Sequence, residues 1–257
     1  MSDTFVALLT SADGGLILDA ADYTQRVLLQ GRAEPWSDAT AYANHLRQAQ
    51  ALLKPAVALL PLDRLMRTQL ATDQALREAM VAKSRRGYAA RALLSDETLK
   101  ELARAQVRTA TQTQREPVLL QLPAPKVLLQ LAAAAVRPGA GDEFDDDDAE
   151  NVAMYFADWS RGFAEAPVAG VIFDERGGVA SAESWGPILN TARHYGWPVG
   201  LRGVDRVRFL EPEVTLPVIS AAEFDTATLP TAVALVEVPV DAVPEDVLAR
   251  LATLRAA

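Results

Sequence analysis

Val118-Leu119-Leu120-Gln121-Leu122 stands between Pro117 and Pro123-Ala124-Pro125. A short apolar run closed off by prolines suits a strand buried on both faces, the kind found in parallel sheets covered by helices. Working outward, Val57-Ala58-Leu59-Leu60, Val171-Ile172-Phe173 and Ala232-Val233-Ala234-Leu235-Val236 read the same way. Phe5 to Leu9, Pro198 to Leu201, Val207 to Leu210 and Leu216 to Ile219 are weaker strand candidates. Up to eight strands alternating with helical segments imply βαβ units, and 257 residues suit one barrel domain spanning 1–257. The expected fold is an α/β (β/α)₈ TIM-type barrel. Its last three weak strands lie too close together for full helices between them, so an abbreviated, irregular C-terminal half is predicted.

The helices carry clearer marks. Ser37 is a good N-cap for a helix running to about Leu53, where Pro55 stops it. A second helical zone covers Asp73 to Thr113, breaks near Gly87 and restarts at Ser95-Asp96-Glu97, whose acids suit a helix N-terminus. Val152, Tyr155, Phe156, Trp159 and Phe163 fall on one helical stripe that faces the sheet, and Trp185 to Tyr195 forms a further helix. Arg137 to Asp148 reads as a loop. Its run Asp145 to Asp148 either gathers a divalent cation or, the commoner case, forms a solvated acidic helix start. Gly14-Gly15 and Gly177-Gly178 read as turns.

Composition narrows the chemistry. The absence of cysteine excludes disulfides, thiolate nucleophiles and sulfur-ligated zinc, and two histidines, His45 and His194, exclude a multi-histidine metal site within one chain. Both histidines read as structural. Trp36 beside Pro35 reads as a hydrophobic staple or as the lip of a pocket. A net charge of −9 argues against nucleic acid and against anionic membrane as partners. No apolar stretch reaches membrane-spanning length, and Met1-Ser2-Asp3-Thr4 lacks a signal-peptide basic region, so a cytoplasmic location is expected. A homodimer stays open alongside a monomer.

Three segments carry a family resemblance. They are Lys54-Pro55-Ala56-Val57-Ala58-Leu59-Leu60-Pro61-Leu62-Asp63-Arg64-Leu65, Pro117 through Leu129, and Val168-Ala169-Gly170-Val171-Ile172-Phe173-Asp174-Glu175. Together they resemble the uroporphyrinogen decarboxylase and cobalamin-independent methionine synthase superfamily, in which barrel strands run into acidic residues at the active-site mouth. The resemblance covers about residues 37–176 and implies that Asp63 occupies the place of a catalytic aspartate. It departs from the family at Leu131, where a tyrosine is expected, and it lacks the N-terminal arginine motif, the late histidine motif and the zinc ligands of the synthase branch.

In such a barrel, functional groups sit at the C-terminal ends of strands. That rule nominates Asp63, Asp174 and Glu175 as catalytic, and Arg64, Gln121, Arg176, Arg202 and Glu211 as substrate-binding. Each has a plainer alternative. Asp63 and Arg64 could be a surface ion pair, Asp174 to Arg176 could be loop charges around Gly177-Gly178, Gln121 could be a satisfied core amide, and Arg202 and Glu211 could pair with each other. The implied activity is decarboxylation or group transfer on a small carboxylated molecule without a cofactor, since a carbanion left by carboxylate loss needs electrostatic stabilisation and then a proton. The alternative is a degenerate barrel that binds a ligand or partner without turnover.

Overall fold

The computed structural model describes residues 2–11, 15–139, 144–229 and 233–256. In chain order the elements are α1 (Ser2–Thr10), β1 (Gly15–Asp19), α2 (Ala21–Leu28), α3 (Ala39–Leu53), β2 (Ala58–Pro61), α4 (Leu62–Thr72), α5 (Gln74–Met80), α6 (Tyr88–Ser95), α7 (Glu97–Thr113), β3 (Val118–Pro123) and α8 (Pro125–Val136). They continue with α9 (Asp146–Ser160), β4 (Gly170–Asp174), α10 (Gly186–Tyr195), β5 (Val199–Arg202), β6 (Arg206–Leu210), β7 (Glu213–Ile219), β8 (Val233–Glu237) and α11 (Pro244–Ala256).

Eight strands form one nearly closed, barrel-like sheet in the order β1-β8-β7-β6-β5-β4-β3-β2. As the proline-bounded runs predict, β2, β3, β4 and β5 are parallel neighbours, with Leu60 level with Leu120 and Leu122 level with Phe173. The (β/α)₈ expectation needs correction in the second half. There β6 runs antiparallel to both β5 and β7, and parallel pairing resumes at β7–β8 and β8–β1. Three residues link β5 to β6 and two link β6 to β7, lengths that allow hairpins and no crossover helix. At the seam, the Ala56 N–H donates to the Leu16 carbonyl over 2.9 Å, which brings β1 beside β2.

The first strand is not Phe5 to Leu9, which is helical within α1; it is Gly15–Asp19. A five-residue apolar run fits either period, and here burial of Phe5 and Leu9, four residues apart, selects the helix. Phe5 and Leu9 join Ile17, Leu59, Leu119, Ile172, Val207, Phe209, Val218 and Leu235 in one buried cluster, the interior of the barrel. Phe5 meets Phe209 edge-on at 5.6 Å. A Cβ on Gly170, at the start of β4, would lie 3.2 Å from Phe5 Cε1, so the missing side chain lets α1 close the N-terminal end of the barrel.

A larger cluster lies outside β2 to β5 and packs α3 to α10 onto the sheet, with Leu60, Leu120, Leu122, Val171 and Phe173 pointing outward into it. A third joins Leu16, Leu18, Ala234 and Val236 to Tyr23 of α2 and to Val247, Leu251 and Leu254 of α11. Local capping sets the helix starts. Asp38, one residue after the expected Ser37, accepts from the N–H groups of Thr40 and Ala41, and Trp36 stacks on Tyr42 at 4.1 Å as a staple would. Asp96 caps α7 at the expected restart. The loop expected through Asp148 ends sooner, because Asp145 and Asp148 form a capping box at the start of α9, and residues 140–143 lie outside the described ones. Arg86 pairs with both Asp145 and Asp148, so the acidic run has a local structural use. The Gly177-Gly178 turn forms, with the Gly178 N–H donating to the Glu175 carbonyl over 2.9 Å, whereas Gly15 begins β1 and Gly14 lies outside the described residues, as does Ala232.

Candidate functional site

Alternation along the strands stacks a polar layer on the apolar interior. Two residues beyond Ile17, Leu119, Ile172, Gly200 and Leu235 stand Asp19, Gln121, Asp174, Arg202 and Glu237, each displaced toward the C-terminal end and onto the same face. Register brings Asp19 level with Glu237 and Asp174 level with Arg202. Gly200 makes room for this arrangement, since a Cβ there would lie 2.9 Å from Phe209 Cε1.

Arg202 is the hub. Its side chain is wholly buried, and a buried guanidinium needs opposite charges and hydrogen bonds to offset its desolvation. Nη1 lies 2.7 Å from Asp19 Oδ2 and donates to Gln121 Oε1 over 2.6 Å, while Nη2 donates to Glu237 Oε1 over 2.6 Å. Nε has no partner among the described residues. Glu237 also accepts from Arg176 Nη1 over 2.7 Å, and Arg176 closes on Asp174 through Nη2 over 2.6 Å. On the other side, the Gln121 amide donates to Asp63 Oδ1 over 3.4 Å. Gln121 thus joins a fixed arginine to an acid, donating with one end of its amide and accepting with the other.

The two acids at the ends of this chain titrate in opposite directions. Burial raises the Asp63 pKa from 3.8 to about 6, and the nearby Asp19 carboxylate adds to the rise against the Gln121 hydrogen bond and the Arg67 charge. Burial pushes Asp174 upward too, but the hydrogen bonds and charge of Arg176 outweigh it and hold Asp174 below the usual carboxylate range. Four carboxylates, Asp19, Asp63, Asp174 and Glu237, face two guanidinium groups here. The acids therefore outnumber the guanidiniums by two when Asp63 is ionised and by one when it is protonated.

The structure joins Asp63, Gln121, Asp174, Arg176 and Arg202 in one network and places the other candidates elsewhere. Arg64, one step around α4 from Asp63, turns to Glu34 at 3.1 Å and Asp22 at 2.5 Å and takes the Gln25 amide oxygen. Glu175 follows Asp174 on the opposite face; burial raises its pKa against the charge of Arg208. Glu211 sits in the β6–β7 turn at the N-terminal end of the barrel and pairs with Arg193 at 2.7 Å, not with Arg202. His45 is buried within α3, and His194 lies near the end of α10 beside Tyr195.

Sequence reasoning passed over Asp19 and Glu237, the two carboxylates that hold Arg202. The signal was present, since Gly15-Leu16-Ile17-Leu18-Asp19 and Val233-Ala234-Leu235-Val236-Glu237 are both apolar strands ending in an acid. Among the described residues no group of three or more His, Asp or Glu is arranged to hold a metal ion, and no helix is long and apolar enough to cross a membrane. Comparison with known proteins finds no matching family model, no matching curated protein and no matching solved structure.

Proposed function

We propose that the C-terminal mouth of the barrel is a small-molecule site whose working group is Asp63. The observation that carries this reading is a carboxyl 8% exposed, with a pKa near 6, placed beside a rigid hydrogen-bonded layer. An acid of that strength exchanges protons readily near neutral pH, as a general acid must. In the decarboxylation that the family resemblance implies, cleavage of the carbon–carboxylate bond leaves its electron pair on carbon, and Asp63 supplies the proton that quenches it. The substrate class stays a small carboxylated molecule, held by a different cation. Both terminal nitrogens of Arg202 are occupied by protein oxygens. Arg67, one turn beyond Asp63, is exposed, makes no ion pair among the described residues and acts on Asp63 through its charge.

Binding without turnover is the second reading, favoured by the burial of Arg202 and the engagement of both its terminal nitrogens by protein oxygens. A thermal-shift screen with small mono- and dicarboxylates at pH 5 and pH 8, followed by assay of released carbon dioxide, separates the two. Stabilisation that weakens from pH 5 to pH 8 and in Arg67→Ala, with turnover abolished in Asp63→Asn, supports the catalytic reading. Stabilisation without turnover supports the second. If no carboxylate stabilises the protein, the mouth is not a carboxylate site.

A further inference from the structure

A cavity opens at the seam between β1 and β2, where the sheet fails to close fully, and it is reached by residues of both faces. Because β1 and β2 do not form a ladder, their facing edges leave a cleft that α3 covers from outside. The cleft encloses about 50 Å³ and is lined chiefly by apolar groups, among them Leu18, Leu46 and Leu59. One water needs about 10–15 Å³ on such a measure, so there is room for a molecule of a few heavy atoms.

Two polar side chains on its wall each carry a buried nitrogen without a partner among the described residues. His45 is 5% exposed with Nδ1 unbonded, and Gln50 is 6% exposed with Nε2 unbonded among the described residues. Both project from α3 onto the wall, and the Gln50 backbone is already used, its carbonyl accepting from Lys54. Leaving such groups unmet is costly, because their desolvation is not offset by a hydrogen bond. Their occurrence together, beside an open cavity, marks a place built to receive hydrogen-bonding atoms.

The charges on the wall select the ligand. Asp19 is paired with Arg202 and Glu34 with Arg64, so neither arginine is left to balance an anion, and the unmet Gln50 Nε2 is a donor that an ammonium group cannot satisfy. Burial, with the Arg64 charge, lowers the His45 pKa and favours the neutral ring, and a neutral imidazole and a primary amide offer a donor and an acceptor between them. We propose that the β1–β2 seam binds a small uncharged polar molecule with a short aliphatic tail, its carbonyl accepting from Gln50 and its N–H or O–H meeting His45. This does not rest on the reading of the mouth.

The test uses propionamide, with propionate and propylammonium as charged counterparts of similar size, followed by NMR on the Gln50 side-chain amide and the His45 ring. Propionamide should shift both sets of resonances, and the charged pair should not. Gln50→Leu should weaken binding by about fivefold or more, the scale of one lost hydrogen bond, and Ala49→Leu, which fills the cleft without removing a polar group, should weaken it by at least as much through exclusion of the ligand. Asp63→Asn should leave the affinity unchanged, which separates this site from the mouth. Absence of shifts, contacts from Gln50 to water alone, equal binding of propionate, or undiminished binding in a folded Ala49→Leu protein would each overturn the proposal.

Discussion

Replacing Asp63 by Asn should make the protein more stable at pH 8 and leave it nearly unchanged at pH 4. The folded-state pKa of Asp63 is raised from 3.8 to about 6, so the folded chain holds this proton more tightly than the unfolded chain does. Between those two values the unfolded state has lost the proton and the folded state has kept it. Stability therefore falls as pH rises through that window, and the penalty is complete above pH 6. A rise from 3.8 to about 6, at about 1.36 kcal/mol per pKa unit, gives about 3 kcal/mol. Asn stands in for the protonated form and can still accept from the Gln121 amide, which lies 3.4 Å away. Urea unfolding of both proteins from pH 4 to pH 8 reads the difference directly. It should grow by about 1.4 kcal/mol per pH unit across the window and then level off. In thermal melts each kcal/mol corresponds to roughly 2–4 °C for a domain of this size. A difference that stays flat with pH, or Asn destabilising at pH 8, would refute both the burial argument and the role of Asp19 in raising the proton affinity.

Arg202→Leu removes the charge between Asp19 and Glu237 and should destabilise by about 3–5 kcal/mol, a loss that denaturant unfolding would detect. Adding Asp19→Asn to that variant should restore part of it. Gly200→Ala would place a Cβ 2.9 Å from Phe209, an overpacking cost of about 1–3 kcal/mol that a second change, Phe209→Leu, should relieve. Asp145→Ala removes the capping box of α9 and one partner of Arg86, and should cost about 1 kcal/mol in a thermal melt, with little effect on binding at the mouth.

Strands β2, β3 and β4 were legible because each is buried on both faces and bounded by proline or glycine, which leaves little else for the residues to form. The polar layer was half legible. Gln121 and Arg202 announce themselves as polar residues in or at the end of apolar strands. Asp19 was hidden because Phe5 to Leu9 drew the reading of the first strand away from Gly15–Asp19, and a short apolar run carries no period to decide between helix and strand. Arg64 and Asp63 are neighbours in sequence, yet the turn of α4 sends one to Glu34 and the other to Gln121, a separation that becomes visible only when the helix start is fixed at Leu62. The reversal of β6 was signalled only by short spacing, which predicts irregular connections without giving a strand direction.

That reversed strand also divides the wall by how freely its sequence can drift. In β3 all six residues are buried, with helices on one side and the barrel interior on the other, so every position answers to packing. Along β6, Val207 and Phe209 are buried while Arg206 and Arg208 are exposed, and β7 exposes Glu213 and Thr215 in the same way. Without a crossover helix on either side of β6, its outward residues meet solvent and answer to little beyond strand propensity. Random substitution should find β6 tolerant at alternate positions and β3 intolerant at all of them, so the two sides of one barrel would diverge at different rates while enclosing the same interior.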